Sequence, residues 1–332
     1  MSETNSNYID LPSTSEALAM YERMQLIRQT ETRLGKDFRE GKLIAGVHLY
    51  IGQEAIAVGI CQNLTDQDWI ASNHRGHGHF LAKGGELNSM MAEIHAKVTG
   101  VCKGMGGTMH VADFSKGILG ANGIVGGGIS LICGAAFACS LQDEGKVAIS
   151  FFGDGASTQG VFSEALNLCA LWRLPMIFVC ENNLYSEFSR SDTVVAGKIV
   201  DRGAPYGSPS VTIDGNEVIA MWNAARIAIK RARAGEGATL IEAFTYRMAG
   251  HVEAETGFLQ GAKYRTEQEV MDWQEKDPIL RFAHHLTSDF NISNATLEEI
   301  DLRVANAVLE AVKFAEESPI PPEEQAFQHM FA

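Results

Sequence analysis

The first persistent pattern along the chain has a helical period. From Thr14, apolar residues recur at Leu18, Tyr21, Met24, Ile27, Leu34 and Phe38, close to the three-to-four spacing of one helix face. Gly41 ends it. The polar residues before it, 1–13, predict a flexible N-terminal arm, and residues 55–64 predict a short buried helix. The period then changes. A strand is predicted over 147–152, followed by Gly153-Asp154-Gly155 and a helix over about 156–172 with Phe162, Leu166, Leu168 and Leu171 as its apolar positions. Pro175 opens a second strand over 176–180, which runs into Glu181-Asn182-Asn183. Strand, helix and strand make a parallel crossover unit. Residues 239–244 predict a further strand. From about residue 265 the pattern is helical again. Thr296-x-x-Glu299 reads as a capping box for a helix to Phe314, and the proline-rich segment PIPPEEQ stops that helix. The expected class is α/β, a parallel sheet flanked by helices with helical N- and C-terminal extensions. No linker or internal repeat divides residues 14–332, so they read as a single domain.

Between these blocks lies a glycine-dense stretch, with eleven glycines from Gly100 to Gly134. Two explanations stand side by side. It is a long flexible loop, or it is backbone lying against a flat ligand where a Cβ would clash. Apolar residues interleave with the glycines, which favours the second, since a linker would be polar.

Composition narrows the class. At 45% hydrophobic and 20% charged residues the chain has the makeup of a globular protein. A formal net charge of −14 argues against nucleic acid as a partner, because neutralising phosphates needs lysine and arginine. The six cysteines, Cys61, Cys102, Cys133, Cys139, Cys169 and Cys180, form no C-x-x-C pair. They read as small core residues in a reducing, cytoplasmic compartment. The first residues lack the basic and apolar regions of a signal peptide, and no apolar run approaches the roughly 20 residues of a membrane span.

The candidate chemistry sits on the crossover unit. Asp154 and Asn183 fall at the C-terminal ends of two strands joined by one helix, and that edge of an open parallel sheet is where ligands bind. A carboxylate, an amide oxygen and a nearby carbonyl are hard oxygen ligands suited to Mg²⁺, which takes its remaining oxygens from water and phosphates. A helix beginning at about Ala156 points free N–H groups and its positive end to the same place. The residues thus predict a metal with a diphosphate. The bland alternative is an aspartate at a turn and an asparagine pair capping the next element. His74, His77 and His79 resemble a metal cluster by composition but lack the register of a zinc-binding helix. His110 reads equally as catalytic or as hydrogen-bonded within its loop. Trp172 and Arg173 read as packing or pairing residues, and Glu54 as a carboxylate that orients loops.

A Gly-Asp-Gly followed about thirty residues later by a double asparagine is similar to the thiamin-diphosphate signature. The strings HLYIGQEAIAVG (48–59), HRGHGH (74–79), GGTMHVADFSKGILGANGIVGGG (106–128), GDGASTQG (153–160) and ALWRLPMIFVCENNLY (170–185) extend the likeness over about residues 20–320. The chain resembles the α subunits of thiamin-diphosphate-dependent dehydrogenase first components, the acetoin and pyruvate dehydrogenase α family, and within it the acetoin branch. The resemblance implies the diphosphate-binding domain of the thiamin-diphosphate-binding fold. It implies Asp154 and Asn183 as side-chain ligands of Mg²⁺, with the Tyr185 carbonyl as a third. It assigns Gly155, Ala156, His74 and Arg75 to the diphosphate, Gly123 and Val125 to the aminopyrimidine, and Ser115 to a weaker cofactor contact. His48 is placed near the substrate and His251 beside the reacting ring, which makes them the catalytic candidates. Arg247 becomes an indirect partner of the phosphates.

The same resemblance implies that this chain is active only with a β subunit. The partner supplies the pyrimidine-domain glutamate in a two-plus-two heterotetramer, and a lipoyl acyltransferase and a dihydrolipoyl dehydrogenase follow in the reaction sequence. His74 stands where many pyruvate-type relatives carry tyrosine. The favoured expectation is cleavage of acetoin to acetaldehyde and an acetyl group. The alternatives are oxidative decarboxylation of pyruvate or a branched-chain 2-oxo acid, and a non-catalytic α-like scaffold. Met105 and Glu187-Phe188 depart from the family pattern. Val252 occupies the position of the regulatory serine of mitochondrial relatives, which puts kinase control there in doubt.

Overall fold

The computed structural model describes residues 10–142 and 144–328. The predicted arm over 1–13 therefore falls largely outside the described residues. Of its four described residues, Asp10 is tied down: its carbonyl accepts from the Asn223 side-chain amide, and its carboxylate pairs with Arg226.

Six parallel strands form the centre: β1 (Trp69–Ala71), β2 (Ile118–Gly120), β3 (Ala148–Gly153), β4 (Met176–Asn182), β5 (Ser210–Asp214) and β6 (Thr239–Phe244), in the order β2-β1-β3-β4-β6-β5. A parallel sheet needs cover on both faces. The alternation along the strands supplies it. Ile149, Phe151, Ile177, Val179 and Ile241 join the larger core on one face, whereas Ala148, Phe152, Met176, Phe178 and Leu240 join the smaller core on the other. The larger core is covered by α1 (Thr14–Arg39), α2 (Glu54–Cys61), α3 (Gly76–Ala82), α4 (Leu87–Ile94) and the helix Val218–Arg233, with the C-terminal helices Pro278–Ser288 and Asn294–Glu317 outside them. The smaller core lies under α5 (Gly127–Gln142) and α6 (Gly160–Trp172). No helix among the described residues is long and apolar enough to cross a membrane.

The predicted elements are present, with instructive shifts. At the start of α1, the Ser13 hydroxyl accepts from the Glu16 amide while the Glu16 carboxylate accepts from the Ser13 amide, a complete capping box. Gly41, at φ +73°, follows its end. The C-terminal helix starts earlier than expected. Ser293 caps it through the Thr296 amide, so the box expected at Thr296 is replaced by this cap one turn upstream. The helix after Gly155 starts later. Residues Gly155–Thr158 form a 3₁₀ turn, and α6 begins only at Gly160. Leu171 on α6 is exposed rather than core.

The glycine-dense stretch is not one loop, since its last part is helix α5. Many of its glycines are required by the protein's own backbone. A Cβ on Gly104 would meet the Lys97 carbonyl at 2.8 Å, one on Gly106 the His110 carbonyl at 2.7 Å, and one on Gly117 the Asp68 carbonyl. Gly104 and Gly117 also sit at positive φ, +77° and +66°, where a side chain is strained. The buried Glu93 carboxylate organises this segment. It accepts from the amides of Cys102, Gly104, Gly106 and Gly107 at 2.7–3.0 Å. Only Gly123, Gly126 and Gly128 of the eleven line the large cavity described next.

Candidate cofactor site

The sheet order reverses between β1 and β3. From β1 the chain moves outward to β2, then returns to β3 on the other side of β1, so the segments leaving β1 and β3 diverge. A crevice opens at such a switch point, beyond the carboxyl ends of the strands. Here a cavity of about 400 Å³ occupies it. Eleven of the twelve residues assigned from the sequence line it: His48, His74, Arg75, Gly123, Val125, Asp154, Gly155, Ala156, Asn183, Tyr185 and His251. The exception is Ser115. It is exposed on a separate 3₁₀ turn, and its hydroxyl donates to Asp113 at 2.6 Å. The structure does not bring it to the cavity, because the chain between Ser115 and Gly123 first runs through β2.

Asp154 follows β3 with its side chain buried, and among the described residues its Oδ2 has no hydrogen-bond partner. Burial raises the pKa of this carboxyl above the ordinary range, against the lowering effects of Ser191 and Arg247. A buried, unpartnered carboxylate oxygen is costly unless something cationic completes it. Asn183 follows β4. Its amide nitrogen donates to Gln53 Oε1 at 3.1 Å, and its oxygen accepts from the Tyr185 amide at 3.3 Å, which leaves one lone pair of that oxygen for the site. Leu184, at φ +70°, then reverses the chain into the two-residue hairpin Tyr185–Ser186 and Ser189–Arg190. The Tyr185 hydroxyl donates to Glu269 at 2.8 Å, which pins the hairpin over the Asp154 turn. Gly155 is obligatory in this arrangement, because a Cβ there would collide with Ser186.

Two guanidinium groups face the same cavity. Arg75 is 3% exposed and Arg247 is 2% exposed. Among the described residues no ion pair is recorded for either; their partners are carbonyl oxygens and an imidazole. Arg75 donates to the carbonyls of Leu49 and His251, each at 2.8 Å, and Arg247 to the Glu187 carbonyl at 2.8 Å. Burial, and then its neighbour Arg247, pushes the Arg75 pKa down to about 9. Buried cations without paired carboxylates are expected where an anion belongs. The N-terminus of α5 adds to this, since Gly126, Gly128 and Ile129 line the cavity. The α6 dipole expected for the role sits one turn further back, behind the 3₁₀ turn.

Sequence reasoning missed three contributors. One is the α5 N-terminus, masked by its glycines. Another is Gln53, which orients Asn183. The third is Glu181, which accepts from Asn73 at 2.9 Å, from His79 at 2.9 Å and from the Tyr50 hydroxyl, tying the β1 loop to β4. Burial opposes ionisation of Glu181, yet these partners hold its pKa below the usual range. His77 is bonded to Glu31 and Thr108, and His79 to Ser72 and Glu181, so both histidines are structural. His110 is exposed and absent from the cavity lining. Trp172 is half exposed, and Arg173 terminates α6 at φ +51°. Glu54 pairs with Arg28 at 2.6 Å and accepts from the Gly52 amide, which fixes the entry to α2.

A doubly covered parallel sheet with buried cations and an orphaned carboxylate at its switch point defines an α/β protein that binds an anionic cofactor. The profile of the dehydrogenase E1 component family matches residues 22–324, and the chain belongs to that family. It is 46% identical over 318 residues to the α subunit of the acetoin:2,6-dichlorophenolindophenol oxidoreductase of Bacillus subtilis, covering 95% of this chain and 93% of that one. The subunit of the same name from Cupriavidus necator is 44% identical over 324 residues, covering 97% and 96%. The pyruvate dehydrogenase E1 component α subunit of Zymomonas mobilis is 37% identical over 320 residues, covering 95% and 88%. The family is one of thiamin-diphosphate-dependent oxidoreductase components.

Proposed function

We propose that this chain is the α half of an acetoin dehydrogenase, splitting acetoin into acetaldehyde and an acetyl group destined for lipoamide and coenzyme A. The observation that carries the cofactor reading is the pairing, in one switch-point cavity, of two buried guanidiniums with a buried carboxylate oxygen, the former lacking ion partners and the latter any partner among the described residues. A diphosphate completes the first and Mg²⁺ the second. Asp154, the Asn183 amide oxygen and the Tyr185 carbonyl are the proposed metal ligands. Gly155, Ala156, His74 and Arg75 hold the diphosphate, and Gly123 and Val125 the aminopyrimidine. When bound, thiamin diphosphate supplies a carbanion that adds to a carbonyl and then accepts the electron pair of the broken bond. The chain's own residues orient that group, exclude water from it and present His48 and His251 to the substrate.

Acetoin is supported by the two relatives at 44–46% identity that bear that activity in their names. Decarboxylation of pyruvate is the second reading, because relatives named pyruvate dehydrogenases also match nearly the whole chain. A β subunit completes the site in a two-plus-two heterotetramer, with lipoyl acyltransferase and dihydrolipoyl dehydrogenase as further partners. Six free cysteines support the cytoplasm as its location. The test is turnover by this chain with its β subunit, Mg²⁺ and thiamin diphosphate, reducing 2,6-dichlorophenolindophenol with acetoin or pyruvate. Turnover of acetoin in preference to pyruvate is expected. Turnover of pyruvate alone would reject the substrate while retaining the cofactor site.

A further inference from the structure

Three imidazoles meet at one side of the cavity. The ring centroid of His48 lies 4.8 Å from that of His74 and 5.0 Å from that of His251, and His74 and His251 are 5.7 Å apart. One ring nitrogen from each falls within 4.8 Å of the others, a spacing that could hold a metal ion. The surrounding arginines decide otherwise. His251 Nδ1 faces Arg247 Nη1 at 2.9 Å and Arg75 Nη2 at 3.2 Å. A guanidinium has donors and no acceptor, so Nδ1 must accept and carries no proton. Turning the ring over would set a C–H against both guanidiniums and leave their N–H groups without this acceptor. The ring's single proton therefore sits on Nε2.

We propose that Arg75 and Arg247 lock His251 in its neutral Nε2–H tautomer, making it a hydrogen-bond donor to a substrate oxygen rather than a proton shuttle or a metal ligand. The substrate half of this statement rests on the acetoin or 2-oxo acid reading above; the tautomer does not. A ligating histidine normally donates its second N–H to a carboxylate or carbonyl. Here the second nitrogen receives two cationic donors, which weakens Nε2 as a ligand.

The surroundings fix both the ring and its backbone. The His251 amide donates to Glu255 at 2.5 Å, and Gly250 leaves room for that carboxylate, which a Cβ would strike. Phe188 packs edge-on against the ring at 5.5 Å. The charged and titratable groups around His251 come from every neighbouring segment. They are His48 ahead of α2, His74 and Arg75 after β1, Glu187 in the hairpin turn, and Arg247, Glu255 and Tyr264 from its own segment. Glu255 is engaged by the His251 backbone amide and the Tyr264 hydroxyl, and the recorded partners of the ring are the two arginines. Burial, followed by Arg75 and Arg247, pushes the imidazole pKa down to about 2, so the ring stays neutral throughout the working pH range.

Arg247 is accordingly a positioning residue, and the experiment separates a donor from an acid–base group. In the reconstituted two-subunit enzyme, His251→Gln retains a neutral N–H donor while His251→Ala has none. The expected kcat for His251→Gln is at least about a tenth of the parent with an unchanged pH profile, against a loss of about a hundredfold for His251→Ala. Independently of turnover, ring ¹⁵N shifts of the histidine-labelled enzyme, assigned by the signal lost in His251→Gln, should show a pyridine-like Nδ1 and a pyrrole-like Nε2. Neither should move between pH 5.5 and 8. Arg247→Met should release the tautomer and let the shifts titrate, and Arg247→Lys, with one donor in place of the fork, should do so partially. A protonated Nδ1, a ring that titrates in the parent enzyme, or His251→Gln as inactive as His251→Ala would overturn the proposal. Absence of any turnover with both substrates would reject the functional reading and leave the tautomer result to stand or fall on its own.

Discussion

Asp154 and the pair Arg75 and Arg247 carry opposite charges in one cavity, yet no ion pair is recorded among them. Each is held in reserve for a ligand, and that has a price in the unliganded chain. Burial raises the Asp154 pKa in the fold. A carboxyl raised in this way contributes stability below the unfolded value of about 3.9 and loses it as pH rises through the folded value. At neutral pH the charged group is therefore a burden on the unliganded protein. Asp154→Asn should raise the melting temperature of the unliganded chain at pH 7 by a few degrees, and this advantage should vanish near pH 4. Thermal unfolding at the two pH values checks it, and a lowered melting temperature at pH 7 would contradict it. Arg75→Met should weaken thiamin diphosphate binding about 10–100-fold, the worth of charge-assisted hydrogen bonds at a buried site, read by calorimetry. At this scale the sequence was informative. Gly153-Asp154-Gly155 and Asn182-Asn183 pointed to the sheet edge where Asp154 and Asn183 line the cavity, because their spacing equals one crossover. Partnerships across the fold were hidden. Nothing local connects Arg75 Nη2 to His251 Nδ1 or Glu181 to Asn73, and the likeness that suggested Ser115 could not show that β2 carries the chain away from it.

The elements that hold these residues were legible in proportion to their length and apolar content. β3, β4 and β6 are buried runs of six or seven residues, and the sequence pattern found all three. β1 and β2 are three residues each, too short for any period, and β5 is an edge strand with mostly exposed side chains. α5 was hidden by its glycines, and its hydrophobic positions point both inward and outward, so it shows little amphipathic signal. The segment ahead of it depends on Glu93. Glu93→Ala would strand four half-buried amides and should destabilise the chain by on the order of 3 kcal/mol. Hydrogen exchange should quicken first in residues 100–109, with α1 unaffected. Uniform loss of protection would show that the carboxylate serves the whole fold instead. Gly155→Ala should abolish cofactor binding with modest loss of stability, since the new Cβ displaces the Ser186 hairpin that carries the proposed ligand, the Tyr185 carbonyl.

At the scale of the whole molecule, α subunits of this family work with a β subunit. The second core of this chain lies under α5, α6 and the segment carrying Val195, Ile199 and Tyr206, and the outer side of the two helices carries Leu131, Phe137, Leu141, Leu171 and Trp172, all 42–71% exposed. Phe137 and Trp172 pack together at 5.3 Å, so the apolar surface is continuous there. A patch of this kind on a soluble protein marks an interface, and it borders the cavity through the α5 N-terminus. We expect it to face a partner subunit. Leu141→Glu should therefore prevent assembly with the β subunit in gel filtration while leaving the far-UV circular dichroism of this chain unchanged; assembly at full strength would place the interface elsewhere. The sequence predicted a partner only through family likeness, because an exposed apolar helix face reads as core until the structure shows nothing packed on it.

The measurement closest to the central claim is calorimetric binding of thiamin diphosphate to the assembled αβ protein, with and without Mg²⁺, for the parent and for Asp154→Ala. The account predicts one site per αβ pair, tight with Mg²⁺ and weaker by at least about a hundredfold in its absence or in the variant. Binding that is indifferent to both Mg²⁺ and Asp154 would contradict it.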